Sequence, residues 1–183
     1  MELTEYTNLE TMRLYLTVQT KEYDSLVTDA ISSASREVDR RCNRYFGKST
    51  EPSTRVFAVE GNGLLMVDDI ADPGSIEIPT VLQYQALPFN GVVDGVPGHP
   101  ITRIKSTHFC EGDHVEVTAI WGWPAVPEVV REATKMLAAE TFMQRDAPLG
   151  VKGMDEFGMI RLRERQHIIS KLNLYKRYRI EGI

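Results

Sequence analysis

Two histidines, a cysteine and two carboxylates fall within seven residues at His108-Phe109-Cys110-Glu111-Gly112-Asp113-His114. If strands flank Gly112, His108 and Cys110 share a face and His114 meets them across the turn, giving three conceivable zinc ligands. The spacing matches no common zinc pattern and supplies no fourth structural ligand, and hairpin tips collect polar residues in any case, so a polar turn is the better reading. Cys110 and His114 could also pair as nucleophile and base, but no third residue that would orient the base can be named. Asp68, Asp69 and Asp72 are clustered as Ca²⁺ or Mg²⁺ ligands could be, yet they lack the alternating spacing and fixed glycine of a calcium loop and read as an acidic loop edge. No G-x-S-x-G, P-loop or dinucleotide fingerprint occurs. No catalytic residue, metal or cofactor is therefore assigned, and the expectation is a protein that is not an enzyme. Arg36, Arg40, Arg41 and Arg44 could face nucleic acid, but Glu37 and Asp39 interleave with them as on a solvated helix face with local ion pairs.

The 183 residues suit one ordinary domain, or a domain with a sizeable insertion, and 42% hydrophobic with 26% charged content is globular. The acidic start, Met1-Glu2-Leu3-Thr4-Glu5, lacks the basic-then-apolar pattern of a signal peptide, and no apolar run approaches a membrane span. Cys42 and Cys110 lie in segments of different expected structure and read as free thiols. The net charge of −5 conceals a split. From Arg161 onward seven Lys or Arg stand against two Glu, a net +5, which leaves −10 on residues 1–160. A basic tail on an acidic body is the pattern of a chain that docks its tail on a charged partner, although a solvated basic helix looks the same.

What would position these groups is a helical body interrupted by strands. Thr7-x-x-Glu10 matches a capping box and opens a first helix to about Leu16. Val27, Ala30, Ile31, Ala34, Val38 and Cys42 recur at helical spacing, predicting a second helix from about Glu22 to Tyr45 that Gly47 stops. From Ser49 the pattern becomes β. Arg55–Val59 and Leu64–Val67 flank Gly61-Asn62-Gly63, the strongest hairpin signal in the chain, because Gly and Asn tolerate the positive φ of tight turns. Ser75–Ile78, Val81–Ala86, Ile101–Ser106 and His114–Ile120 predict further strands, with a loop from Asn90 to Pro100. Trp121-Gly122-Trp123-Pro124-Ala125-Val126-Pro127 is then a β-to-α hinge: Gly122 and Pro124 turn the chain, Pro127 sits as a first helical residue, and Trp121 and Trp123 plug the core. Val129, Ala133, Met136, Leu137 and Met143 give the next helix its apolar stripe. The Gly-rich stretch 148–158 reads as an arm, followed by a last basic helix from about Glu164 to Tyr178. The fold class is α+β, with four helices and a small antiparallel sheet or barrel inserted between the second and third. Its parts are residues 1–48, the β insertion 49–120, a completing helix in 121–147, and the arm with basic helix 148–183.

Taken together, several segments resemble the head-tail connector, or adaptor, proteins of tailed bacteriophages. They are the opening Tyr6, Leu9 and Leu16, the Ala30/Ala34 helix ending in Cys42-Asn43-Arg44-Tyr45-Phe46, the W-G-W-P-x-V-P turn into a helix with Ala133, and the arm Pro148-Leu149-Gly150-Val151-Lys152-Gly153 with Glu156-Phe157-Gly158. The resemblance spans nearly the whole chain. It implies a structural virion protein at the neck, made and assembled in the host cytoplasm, whose subunits bind the portal, form a ring of the portal's twelve-fold symmetry and extend the DNA channel toward a neck or tail protein below. DNA would pass without sequence-specific binding, and no membrane is involved. By the same resemblance the C-terminal part faces the portal, which nominates Arg161, Arg163, Arg165, Ile168, Leu172, Tyr175, Lys176, Arg177 and Arg179 as the portal-binding set. Another neck or tail-completion protein, a small metal-binding or enzymatic domain centred on His108, and a nucleic-acid-binding regulator are the alternatives.

Overall fold

The computed structural model describes residues 3–18, 20–144, 166 and 169–177. Two compact units divide the chain: a helical one, Glu5–Tyr45 with Val126–Ile183, and one of Met1–Thr4 with Phe46–Ala125, which holds every strand among the described residues. The α+β class with a β insertion between the second and third helices is the one observed.

In the helical unit, α1 (Leu9–Leu16) is capped by Asn8, whose side chain accepts from the Thr11 N–H at 2.8 Å. The cap thus lies one residue beyond the expected Thr7, since Asn8 has the extended backbone and side-chain oxygen a cap needs. A 3₁₀ turn, Lys21–Tyr23, leads into α2 (Asp24–Cys42). The predicted stripe Val27, Ala30, Ile31, Ala34, Val38 and Cys42 is fully buried. What ends α2 is Asn43 in the left-handed region (φ 49°), its N–H returning to the Asp39 carbonyl, and not Gly47 four residues later. Helix α3 (Glu128–Gln144) packs on α2, with α1 against both. Pro127 is one position earlier than expected: its carbonyl accepts from the Arg131 N–H at 3.1 Å, so it occupies the cap and Glu128 is the first helical residue. The buried stripe of α3 is Val130, Ala133, Leu137, Ala138 and Phe142. That is a rotation of the predicted face: Val130 is buried in place of Val129, and Met143 is exposed. The described part of the fourth helix covers 169–172, followed by the 3₁₀ turn Asn173–Tyr175.

The β unit contains β1 (Ser53–Ala58), β2 (Leu64–Ile70), β3 (Gln85–Leu87), β4 (Ile101–Lys105) and β5 (His114–Ala119). They form two antiparallel sheets, β1-β5 and β2-β4-β3. This corrects the hairpin expectation. The Gly61–Gly63 turn does close, with Leu64 N–H on the Gly61 carbonyl at 3.1 Å, but beyond it the strands part. β1 pairs with β5 in the register Val56↔Glu116, and β2 pairs with β4 in the register Leu65↔Ile104. The strand expected at Ser75–Ile78 is a 3₁₀ turn, Pro73–Ser75, followed by a single bridge from Glu77 to Thr118, and the strand expected at 81–86 shortens to β3. Leu65, Val67, Ile70, Ile104, Val117 and Trp121 belong to the unit's hydrophobic core, with Phe57 and Tyr84 packed against it.

Candidate functional site

The hinge tryptophans hold the β unit together at the point where the chain enters and leaves it. Trp121 is 3% and Trp123 2% exposed. The Trp121 indole N–H donates to the Ser53 carbonyl at 2.7 Å, its ring meets Phe57 at 5.6 Å, and the Arg55 guanidinium lies 4.4 Å above it. Arg55 also pairs with Asp68 at 2.7 Å, so the cation is held from two sides. The Trp123 indole N–H donates to Asp69 Oδ2 at 3.0 Å, and its ring stacks at a tilt on Phe46 (5.1 Å) and His99 (5.7 Å). Between the two rings the backbone is paired to the entering chain. Lys48 bridges to Gly122, Ser49 N–H donates to Trp121 O at 2.8 Å, and Trp123 N–H donates to Gly47 O at 3.1 Å. Gly122 has φ 115°, and a Cβ there would lie 1.9 Å from Gly47 O, so no other residue fits. Pro124 is exposed beside this knot.

The acidic residues turn out to have structural work. Asp69 is buried and accepts from Trp123, Asp68 pairs with Arg55, and Asp72 accepts from the Gly74 N–H at 2.9 Å to cap the 3₁₀ turn. The His108–His114 stretch is a turn in which Asp113 N–H donates to Cys110 O and Cys110 N–H to Asp113 Oδ2, each at 3.1 Å. Val59 clamps it from the β1 side, accepting from Gly112 N–H and donating to Asp113 O. His108 Nδ1 lies 3.3 Å from Ser106 Oγ. Among the described residues no three His, Cys, Asp or Glu side chains converge closely enough to hold a metal ion.

On α2 the arginines are paired locally: Arg36 with Asp39 at 3.0 Å, Arg40 with Glu37 at 2.9 Å and Arg41 with Glu37 at 2.6 Å. The hydrogen bond from Arg40, with a further one from Arg41, holds the Glu37 carboxyl below its ordinary range despite partial burial. Arg36 also lies over the rings of Tyr6 and Tyr45, at 5.7 and 5.6 Å, and the Tyr6 hydroxyl donates to Asp39. This face organises the helical unit and has little unpaired charge to offer phosphates.

The C-terminal segment lies against the end of α2. Leu172 is 2% exposed, and its carbonyl lies 3.8 Å from Cys42 Sγ. Arg177 N–H donates to the otherwise open Cys42 carbonyl at 2.8 Å, and Asn43 Nδ2 donates to Arg177 O at 3.3 Å. The segment therefore finishes the helix that Asn43 begins to close. Burial raises the Cys42 thiol to about 11, which makes it inert. Of the nominated set, Leu172 is core, Tyr175 and Arg177 are half-buried and Lys176 is exposed. Arg161, Arg163, Arg165, Ile168 and Arg179 lie outside the described residues, as does the arm at 148–158. Leu172 as an internal anchor was not foreseen, although its place among Ile168, Ile169 and Tyr175 at helical spacing was the available signal.

The arrangement defines a class of fold first: an α+β chain whose helical unit is interrupted by a two-sheet insertion between its second and third helices. That fold is shared with a chain in the solved structure of the neck of an empty GTA particle computed with C6 symmetry; the two are 15% identical, align with a TM-score of 0.54, and the alignment covers 100% of this chain and 99% of that one. No family model matches the sequence, and no curated protein matches it.

Proposed function

We propose that the protein is a structural subunit of the neck of a phage-like particle, the head-tail connector ring that binds the portal and carries the DNA channel toward the tail. The observation that carries this reading is the match in fold to a neck chain over 100% of this chain and 99% of that one. The ordered motifs that resemble phage adaptors, above all the W-G-W-P-x-V-P turn, point the same way independently of that match. A structural role also fits the polar groups, since Asp69, Asp72, Asp113 and His108 are engaged in caps, turns and a buried indole contact.

A ring of twelve copies on the portal is consistent with the neighbour's symmetry, because a twelve-fold ring contains every six-fold operation; six copies would satisfy it equally. The body, at −10 over residues 1–160, suits a channel that must not grip phosphates, since each Lys or Arg contact would release counterions and favour a stationary strand. Portal binding is assigned to the basic C-terminal part: Arg161, Arg163, Arg165, Ile168, Tyr175, Lys176, Arg177 and Arg179 at the contact, with Leu172 anchoring the segment to α2. The free chain is a monomer or weakly associated species that assembles on the portal template. A neck protein seated below the adaptor is the second reading, because the neighbour is described only as neck.

Purified portal and purified full chain, mixed and imaged by negative stain, test both. Added density directly on the portal's tail-facing end, lost when Arg161, Arg163 and Arg165 are changed to Glu, is the expected outcome. The loss should be larger at low salt, since the Debye length of about 10 Å at 0.1 M shortens above it. Binding only after another neck protein has been added would favour the second reading, and no binding in either case would overturn the neck assignment.

A further inference from the structure

The loop expected from Asn90 to Pro100, together with Phe89 just before it, is a built apolar tip. Val93 and Val96 exchange both backbone hydrogen bonds, at 3.0 and 2.8 Å, around Asp94 (φ 50°) and Gly95 (φ 79°), a closed two-residue hairpin. Its base is fixed where His99 N–H donates to Gly91 O at 2.9 Å, and a Cβ on Gly91 would lie 2.5 Å from His99 O. His99 in turn packs on Trp123. The backbone is thus held from the buried tryptophan outward, yet what it holds up is Phe89, 60% exposed, and Val96, 56% exposed, with Val92 and Val93 also in solvent. None of the four belongs to the buried core cluster of the β unit.

We propose that the tip Phe89–Val96 is the contact by which one copy seats on the neighbouring copy in the ring, an inference that rests on the neck reading above. Three observations select a second copy as the occupant. The chain similar in fold comes from an assembly computed with C6 symmetry, and a rotational ring needs one projecting patch and one different receiving patch on every subunit. From Pro88 to Pro100 the only carboxylate is Asp94 and there is no Lys or Arg, so the tip lacks the cations assigned to the portal contact. Finally, the four side chains expose on the order of 300 Å² of apolar surface, against about 800 Å² per partner in a stable two-body interface. Such a patch leaves free copies apart in solution and contributes when a template aligns them, where each closed-ring subunit is held on two sides.

The test is assembly of the full chain on purified portal, followed by native mass spectrometry, for the wild type and for Phe89→Asp and Val96→Lys. Both sites are exposed, so unchanged far-UV dichroism and melting are expected for the free variants. The expected result is that each variant occupies the portal with gaps or as single copies, with ring completion requiring about tenfold more protein or failing. In parallel, p-benzoylphenylalanine in place of Phe89 should crosslink one copy to the next under light, in assembled rings and not in free protein. Variant rings as complete as those of the wild type, or crosslinks to portal alone, overturn the tip assignment while leaving the neck reading standing. A wild-type chain that forms no ring on portal, with or without another neck protein added, overturns both.

Discussion

Replacing Gly122 by Ala isolates the knot at which the β insertion is tied off. The substitution asks two things of the backbone: a side chain at φ 115°, which only glycine adopts readily, and room for a Cβ that would sit 1.9 Å from Gly47 O and 2.9 Å from its carbonyl carbon. Backbone strain of this kind is worth about 1–3 kcal/mol. The clash is with backbone, so the two chains must separate, which loosens the Trp123-to-Gly47 and Ser49-to-Trp121 hydrogen bonds at about 1 kcal/mol each. A total of roughly 3–5 kcal/mol follows, a large part of the 5–15 kcal/mol that a domain has. Gly95→Ala is the control, because Gly95 also has positive φ (79°) but its added Cβ meets nothing within 4 Å. It should cost only the strain, about 1–2 kcal/mol. Urea unfolding followed by tryptophan fluorescence reads both, since Trp121 and Trp123 flank the site. If Gly122→Ala costs no more than Gly95→Ala, the close approach is not what demands glycine, and the reasoning fails.

Truncating Leu172 to Ala should destabilise the helical unit by about 2–5 kcal/mol in the same assay, whereas Leu174→Ala, on an exposed side chain, should be neutral. Deleting residues from 164 onward should likewise lower stability, because the Cys42 carbonyl loses its Arg177 partner as well as the leucine. Thiol titration at pH 8 is expected to show one fast site, Cys110, and one that reacts only on unfolding, Cys42; two fast thiols would contradict the packing of the C-terminal segment. The Glu37 contribution is present above the ordinary carboxylate value of 4.5 and is lost as pH falls through its lower folded value. Glu37→Gln should therefore remove a few tenths of a kcal/mol at pH 7 and nothing once the wild-type carboxyl is protonated, as measured by melting across that range. Replacing His108, Cys110 and His114 together by Ala should shift the melting curve no more than chelator does, by less than about 0.5 kcal/mol.

Helical order was legible where periodicity alone decides it. The apolar α2 stripe from Val27 to Cys42 is legible, because the opposite face is almost wholly polar or charged; only the buried Ser35 carries no such signal. On α3 the adjacent Val129 and Val130 left two faces open, and only packing on α2 selects Val130. Most strand positions are legible too, the expected strand at Ser75–Ile78 excepted, but the partners are not. Gly61-Asn62-Gly63 makes a turn, and a turn signal says nothing about whether the strands it joins stay together; β1 instead pairs with a strand whose residues lie some sixty positions further on, and no local pattern encodes that. The Asp94-Gly95 pair between valines is itself a hairpin signal, but the dense Gly and Pro around it give the whole stretch the pattern of a loop. Asp69 was misread for a related reason: a carboxylate beside Asp68 looks like surface until the indole it serves, 54 residues away, is in place.

The pairing of Gly47 and Lys48 with Gly122 and Trp123 closes the β insertion into a lobe whose two ends are hydrogen-bonded to each other. Its two ends meet before the chain returns to helix, whatever the number of residues between them. Lengthening, shortening or exchanging the lobe changes what its loops display without altering the pairing that joins its ends. A lineage of such chains can therefore alter its outward contacts, the Phe89–Val96 tip included, by insertion and deletion within the lobe, while the helices and the C-terminal segment that closes α2 diverge under a separate set of constraints.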